Sequence, residues 1–279
     1  MKLETINLKD IYTFLGENGC NPTLTAYLPY NDFKETEVSN RPCMLVIPGG
    51  GYGFCSDREA EPFALRFAAL GFNAFVLKYS VAPNRFPTQL LEVAAAMDLI
   101  HKKADEWGSD PDKTAIIGFS AGGHLSAHYS TSFDIPAVRE KFPESYPVNA
   151  TILCYPVITA NPLHAHKGSF LNLLGSYPET EAELDKYSCN KLVSEKTPPA
   201  FIWHTAADQA VPVQNSLLYA EALTKYNIPY EMHIYPYGQH GLATVDRVTC
   251  QSLDKNVKVA ADWLSAVKKW LDNTFDLAE

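Results

Sequence analysis

The sequence of 279 residues lacks paired cysteines, basic runs and long apolar stretches. None of its six cysteines belongs to a C-x-x-C pair, so we expect buried free thiols rather than disulfides, and no metal site. No stretch approaches the ~18 apolar residues of a membrane span. Acidic and lysine residues follow Met1 where a signal peptide would be apolar. We therefore expect a cytoplasmic protein that does not bind membranes.

The charge balance argues against a further class of partner. The chain has 23 lysine and arginine residues against 32 aspartate and glutamate residues, for a net charge of −9 at pH 7. A mildly acidic chain without a basic run has no electrostatic footprint for nucleic acid. We expect no nucleic-acid partner.

Short apolar segments alternate with longer amphipathic ones along most of the chain. Several of the apolar segments, such as residues 44–47, are continuous, which is typical of strands buried on both faces of a mostly parallel sheet. The alternation predicts a doubly wound α/β fold in a single domain over residues 1–279. The predicted strands are Thr23–Leu28, Cys43–Ile47, Ala74–Lys78, Thr114–Gly118, Ala150–Tyr155, Ala200–His204 and Glu231–Tyr235, and the predicted helices are Glu61–Leu70, Thr88–Trp107, Ala121–Ser130, Val213–Lys225 and Leu253–Phe275.

Residues 158–197 interrupt this alternation. They contain Pro, His, Gly and acidic residues, with one short apolar piece at residues 170–174. Two interpretations stay open for this insertion. It is either a surface loop or a small cap over a pocket.

A G-x-S-x-G pattern at residues 118–122 is the sharpest chemical signal. The pattern lies between a predicted strand and a predicted helix, which is the context of a nucleophile elbow. The tight turn strains the backbone at Ser120, and glycines two residues on either side leave room for it. Ser120 is therefore the predicted nucleophile, standing at the N-terminus of a helix that favours developing negative charge.

A serine hydroxyl needs a general base and an acid that orients it. The chain order expected for this architecture is serine, acid, histidine. His240 lies in a glycine-flanked loop after the last predicted strand, whereas His233 falls within that strand and is expected to pack or face solvent. Asp208 follows the preceding strand and is the predicted acid. Its competitor Asp246 comes after the histidine in the chain.

A run of three glycines follows the strand that ends at Ile47. Glycines let backbone N–H groups turn toward a substrate oxygen, so this loop is the predicted oxyanion hole. We assign its donors to the amides of Gly50, Gly51 and Ala121. A phosphate cradle is the rival interpretation, but the loop has no G-K-[ST] ending and no G-x-G-x-x-G pattern.

Together, the glycine loop, the serine elbow, Asp208 and the G-Q-H-G loop around His240 resemble the α/β-hydrolase superfamily. Within it the chain is most similar to small esterase and lipase-like proteins of the acetylesterase and acetyl-xylan esterase type, from about Cys43 to Trp270. Pro48 stands where hormone-sensitive-lipase-like relatives carry a histidine. We interpret residues 56–59 as a segment that holds the oxyanion loop, with substrate contact by Arg58 or Glu59 as the alternative.

The resemblance implies an α/β-hydrolase fold and a serine carboxylesterase acting on short acyl esters, including acetylated sugars, without a cofactor. The partner would be a small-molecule ester, and a homodimer is compatible with the sequence. An amide-cleaving hydrolase of the peptidase or formamidase type and a non-catalytic binding member of the fold are the alternatives. The residues expected to contact substrate are Tyr52, Tyr155, Val211 and Leu242.

Overall fold

The computed structural model describes residues 1–30, 40–250 and 254–277. In these ranges eight strands form one sheet in the order β1-β2-β4-β3-β5-β6-β7-β8. The strand pairs β1–β2 and β2–β4 are antiparallel, and the other five pairs are parallel. The strands are β1 (Lys2–Asn7), β2 (Thr23–Leu28), β3 (Arg41–Ile47), β4 (Asn73–Lys78), β5 (Ser109–Phe119), β6 (Ala150–Cys154), β7 (Ala200–Thr205) and β8 (Tyr230–Tyr235).

Helices connect the parallel strands and lie on both sides of the sheet. In the part of the chain that the structure describes, four short 3-10 helices accompany them, at Leu8–Asp10, Thr13–Gly19, Asp57–Glu59 and Val257–Asp262. The α-helices are α1 (Glu61–Ala69), α2 (Thr88–Lys102), α3 (Ala104–Trp107), α4 (Ala121–Ser132), α5 (Pro136–Arg139), α6 (Lys167–Leu174), α7 (Glu181–Lys186), α8 (Cys189–Leu192), α9 (Gln214–Lys225) and α10 (Trp263–Phe275).

Two apolar cores sandwich the sheet because successive strand residues point to opposite faces. Leu45 of β3 packs with residues of α2 and α4 on one face. Its neighbours Met44 and Val46 pack with α1 and α10 on the other. The central strands are therefore buried on both sides, as their continuous apolar composition predicted.

All seven predicted strands are present, with ends that differ by a few residues. The sequence prediction missed β1, an edge strand of exposed and partly buried residues that pairs only with β2. The helix predicted over Thr88–Trp107 is wrong as a single element, because it breaks at Lys103 between α2 and α3. The predicted start of the last helix at residue 253 lies outside the described residues, and α10 is preceded by a 3-10 turn.

The insertion at residues 158–197 connects β6 to β7 and contains the short helices α6, α7 and α8. Helix α8 packs against α4 and α9. A side chain from α6 reaches the glycine loop after β3, since Nδ2 of Asn172 donates to the carbonyl oxygen of Gly51 at 2.9 Å. The insertion therefore lies next to the loop that was predicted to form the oxyanion hole.

Candidate active site

Ser120 occupies the sharp turn between β5 and α4, with φ 53° and ψ −118°. The turn forces close backbone contacts that only glycine allows. A Cβ atom on Gly118 would lie 2.2 Å from the carbonyl oxygen of Gly122, and one on Gly122 would lie 2.3 Å from that of Pro48. The structure thus contains the strained elbow that the G-x-S-x-G pattern predicted.

The loops after β7 and β8 bring Asp208 and His240 to Ser120. Nε2 of His240 lies 2.8 Å from Oγ of Ser120, and Nδ1 lies 2.6 Å from Oδ2 of Asp208. These three residues follow the carboxyl ends of parallel strands, where an open α/β sheet places its sites. The competing acid Asp246 forms an ion pair with Arg66 instead.

Asp208 is buried, yet hydrogen bonds favour the ionised form of its carboxyl group. Its Oδ1 accepts from the backbone N–H groups of Ala210 and Val211, both at 2.9 Å. Burial alone would raise the pKa of the carboxyl, but hydrogen bonds from His204 and His240 outweigh it and lower the pKa below its usual value. An ionised Asp208 can hold the ring of His240 with Nδ1 protonated and Nε2 free to accept a proton.

His204 is a site residue that the sequence reasoning missed. Its buried ring lies in β7, with Nε2 3.3 Å from Oδ2 of Asp208 and 3.0 Å from the carbonyl oxygen of Val211. Both neighbours are acceptors, so Nε2 carries the proton. Nδ1 then accepts from the hydroxyl of Ser216 at 2.8 Å. The signal in the sequence was a histidine inside a buried strand, four residues before the acid.

Of the predicted oxyanion donors, Ala121 directly follows Ser120, and Gly50 and Gly51 follow Gly49, on which a Cβ atom would lie 3.1 Å from Cβ of Ser120. Within residues 1–30, 40–250 and 254–277, no protein atom accepts a hydrogen bond from the N–H of Gly50, Gly51 or Ala121. Gly50 and Gly51 have φ angles of 124° and 62°, which side chains disfavour. Three free amides near a serine hydroxyl can stabilise negative charge on a substrate oxygen.

The loop is held from beneath by Glu59, which is buried in the 3-10 helix that follows it. One carboxylate oxygen accepts from the N–H of Gly49 at 3.0 Å, and the other accepts from the hydroxyl of Tyr155 at 2.7 Å. Tyr155 in turn accepts from the N–H of Ala243 at 3.1 Å, and its ring meets that of His240 edge to face at 5.1 Å. Burial raises the pKa of Glu59, and the bonds from Tyr155 and Gly49 oppose that rise.

The segment at residues 56–59 therefore contacts the oxyanion loop, as the sequence analysis expected. The N–H of Ser56 also donates to the carbonyl oxygen of Gly49 at 3.0 Å. Arg58 donates to the carbonyl oxygen of Thr249 at 2.7 Å, and a Cβ atom on Gly241, the residue after His240, would lie 3.5 Å from its Nη2. Both carboxylate oxygens of Glu59 are engaged by Gly49 and Tyr155. Substrate contact by Arg58 stays a prediction, because this side chain lines a cavity together with the loop around His240.

A second buried contact holds the far end of the loop. The hydroxyl of Tyr52 lies 2.7 Å from Nδ1 of His124, and Nε2 of His124 lies 2.9 Å from the carbonyl oxygen of Tyr187 in the insertion. Nε2 must donate to that carbonyl, so Nδ1 accepts from Tyr52. Burial lowers the pKa of His124 to about 4, which keeps the ring neutral. The hydrogen bonds of His124 therefore connect the glycine loop, helix α4 and the insertion.

The four residues expected to contact substrate are largely buried, and their contact with substrate stays a prediction. Each is at most 4% exposed. The hydroxyl of Tyr52 is hydrogen-bonded to His124, and the hydroxyl of Tyr155 is hydrogen-bonded to Glu59. Val211 packs in a small core with residues of the insertion, and Leu242 packs over Gly238. A sequence pattern places such residues near a site but does not fix which way their side chains point.

Among the described residues, no three or more His, Cys, Asp or Glu side chains form a group that could hold a metal ion. All six cysteines are unpaired. No helix in the described ranges is long and apolar enough to cross a membrane.

The BD-FAE family model matches residues 27–223 of the chain. The chain is 39% identical over 253 residues to endo-1,4-beta-xylanase B of Butyrivibrio fibrisolvens, a match that covers 87% of this chain and 38% of that protein. It is 32% identical over 245 residues to an acetylxylan esterase of Xylanibacter ruminicola, covering 86% and 48%. The chain therefore spans less than half the length of these curated relatives.

Solved structures agree with this relationship over whole chains. An acetyl ester-xyloside bifunctional hydrolase of Caldicellulosiruptor lactoaceticus is 34% identical with a TM-score of 0.83, and the match covers 97% of this chain and 96% of that one. An α/β-hydrolase from a deep-sea metagenome, MGS-M1, is also 34% identical with a TM-score of 0.79, covering 99% of both chains. The α/β-hydrolase fold is confirmed, and two of these relatives are named as an acetylxylan esterase and an acetyl ester-xyloside bifunctional hydrolase.

Proposed function

Since this chain belongs to the BD-FAE family and has an α/β-hydrolase fold, we propose that it is a serine carboxylesterase that removes short acyl groups, in particular acetyl, from carbohydrate esters. One observation carries the proposal. The side chain of His240 lies 2.8 Å from Oγ of Ser120 and 2.6 Å from Oδ2 of Asp208. The three backbone amides assigned to the oxyanion hole have no acceptor in the described residues. The names of the xylan-degrading relatives support the carbohydrate part.

The proposed reaction starts with attack of Oγ of Ser120 on the ester carbonyl carbon while Nε2 of His240 takes the hydroxyl proton. The carbonyl oxygen becomes an oxyanion, which the amides of Gly50, Gly51 and Ala121 stabilise. When the carbon–oxygen bond to the alcohol breaks, His240 returns the proton to the leaving oxygen. Asp208 stabilises the imidazolium in between.

Water then attacks the acyl-enzyme by the same route. His240 takes a proton from the water, the oxyanion forms again, and collapse releases the acid and restores the Ser120 hydroxyl. The residues named account for every proton transfer in this scheme. We propose in addition that residues 158–197 form a cap beside the site, because Asn172 touches the oxyanion loop and Tyr187 touches His124.

The experiment is hydrolysis of p-nitrophenyl acetate, its longer acyl homologues and acetylated xylo-oligosaccharides by wild type and Ser120→Ala. We expect activity on acetate esters that falls with acyl length, and a loss of about 10³-fold or more in kcat in the variant. Ser130→Ala is the matched control, since that hydroxyl lies in the same helix and contacts the hydroxyl of Thr151 in β6 at 2.7 Å. Ester cleavage that survives Ser120→Ala would refute the proposed mechanism, and turnover of amides alone would favour the amide hydrolase.

A further inference from the structure

His166 is a histidine of the insertion that lies beside the glycine loop and takes no part in the proposed reaction. It precedes α6 in the insertion and is partly buried. A Cβ atom built on Gly51 would lie 3.9 Å from Cε1 of this ring and 3.8 Å from Oγ of Ser169. The imidazole therefore borders the oxyanion loop from the insertion side.

The hydrogen bonds of the ring fix which nitrogen is available. Nδ1 lies 2.8 Å from Oγ of Ser169 and accepts from the backbone N–H of the same residue at 3.3 Å. Since Nδ1 is the acceptor, the proton of the neutral ring is on Nε2. No atom of the described residues accepts a hydrogen bond from Nε2. Burial, together with the nearby charge of His240, lowers the pKa of His166 and favours this neutral form.

The position of His240 indicates which part of an ester would meet His166. In the proposed reaction His240 returns its proton to the leaving alcohol, so the alcohol part must lie beside His240. The ring of His166 is close enough to interact electrostatically with both His240 and Asp208, and it also borders Gly51. A group that lies next to both the oxyanion loop and the histidine flanks the leaving alcohol.

We propose that His166 forms a subsite for the alcohol part of a carbohydrate ester, with Nε2–H donating a hydrogen bond to a hydroxyl or ring oxygen of the sugar. The inference rests on the proposed function and adds a specificity-determining residue to it. An aryl alcohol such as p-nitrophenol has no sugar hydroxyl to meet this donor. The subsite therefore acts on carbohydrate esters and leaves simple aryl esters unaffected.

Two substitutions separate this subsite role from helix capping. His166→Asn keeps an acceptor near the position of Nδ1, because asparagine is a good N-cap residue, but it removes the donor at Nε2. His166→Gln places an amide N–H near the position of Nε2 and gives up the cap. The expected result is a loss of about 5- to 20-fold in kcat/KM for acetylated xylobiose in His166→Asn, with kcat/KM for p-nitrophenyl acetate within twofold of wild type. His166→Gln should retain more of the sugar-ester activity.

His164→Asn is the matched control, because this histidine belongs to the same insertion and uses its backbone carbonyl, not its ring, to bind Asn215. We expect His164→Asn to keep the wild-type kcat/KM for both substrates. Equal losses on both substrates in His166→Asn, or full sugar-ester activity in it, would overturn the subsite. A pattern in which only His166→Gln is impaired would assign the ring to helix capping and also overturn it. If wild type shows no Ser120-dependent cleavage of p-nitrophenyl acetate, the proposed function itself has failed.

Discussion

Replacing Tyr155 by phenylalanine tests whether the buried carboxylate of Glu59 aligns the catalytic loops. The substitution deletes one oxygen atom and keeps the ring that packs against His240. Two buried polar groups then lose their partner. One carboxylate oxygen of Glu59 loses its donor at 2.7 Å, and the N–H of Ala243 loses its acceptor at 3.1 Å.

The magnitude follows from these two contacts. A hydrogen bond to a charged group contributes about 1.5–3 kcal/mol, and a buried donor left without an acceptor costs about 1–3 kcal/mol. We expect Tyr155→Phe to lower the free energy of unfolding by about 3 kcal/mol. Tyr129→Phe is the matched control, because its buried hydroxyl makes one neutral bond of 2.7 Å to the carbonyl of Tyr146, away from the triad. That variant should lose only about 1 kcal/mol.

The assays are urea unfolding for stability and p-nitrophenyl acetate hydrolysis for kcat and KM. Because Tyr155 links the oxyanion loop to the loop of His240, we expect kcat to fall about 10-fold while KM changes by less than about threefold. Glu59→Gln should act through the same bond, so the double variant should be little worse than Tyr155→Phe alone. If Tyr155→Phe matches Tyr129→Phe in stability and keeps kcat within twofold of wild type, the alignment role is refuted.

Two further predictions concern stability. Burial raises the pKa of Glu92 to about 7 against an ordinary 4.5, so the folded state holds this proton more tightly than the unfolded state. The free energy of unfolding should therefore fall as the pH rises from about 4.5 to about 7. Glu92→Gln should reduce that fall by at most about 3 kcal/mol, measured by urea unfolding at pH 5 and pH 8, and equal slopes in both proteins would contradict the assignment. Gly122→Ala should destabilise the protein by more than about 2 kcal/mol because its Cβ would lie 2.3 Å from two backbone oxygens, whereas Gly168→Ala, whose Cβ would lie 3.5 Å from His166, should stay within about 1 kcal/mol. A stable, active Gly122→Ala would show that the elbow can relax.

Local patterns predicted the elements and the elbow well. The turn at Ser120 is specified by residues within a few positions of each other, and the strand and helix around it have the expected composition. Asp208 and His240 could be placed because loops at the carboxyl ends of neighbouring parallel strands must converge. Chain order and strand pattern therefore carried enough information to predict that Ser120, Asp208 and His240 come together.

Contacts between distant segments could not be predicted in the same way. Glu59 and Tyr155 are 96 positions apart, and their hydrogen bond depends on how two loops pack beneath the sheet edge. The sequence alone does not decide whether an aromatic side chain beside such a loop faces the substrate or the core. Tyr52 and Tyr155 face the core because each has a buried polar partner there, and that partner is known only from the fold.

The oxyanion loop shows why the residue types in a loop do not by themselves fix its geometry. Glycine allows the backbone conformation that leaves the N–H groups of Gly50 and Gly51 free. The contacts that orient these N–H groups, however, involve the residues on either side and the carbonyl of Gly51. Glu59 holds the N–H of the preceding glycine, His124 holds the hydroxyl of Tyr52, and Asn172 holds the carbonyl of Gly51. These three partners come from a 3-10 turn, the elbow helix and the insertion. The orientation of the amides is therefore a tertiary property, and a glycine run without these partners would be a flexible loop, because glycine adopts many backbone conformations at similar cost.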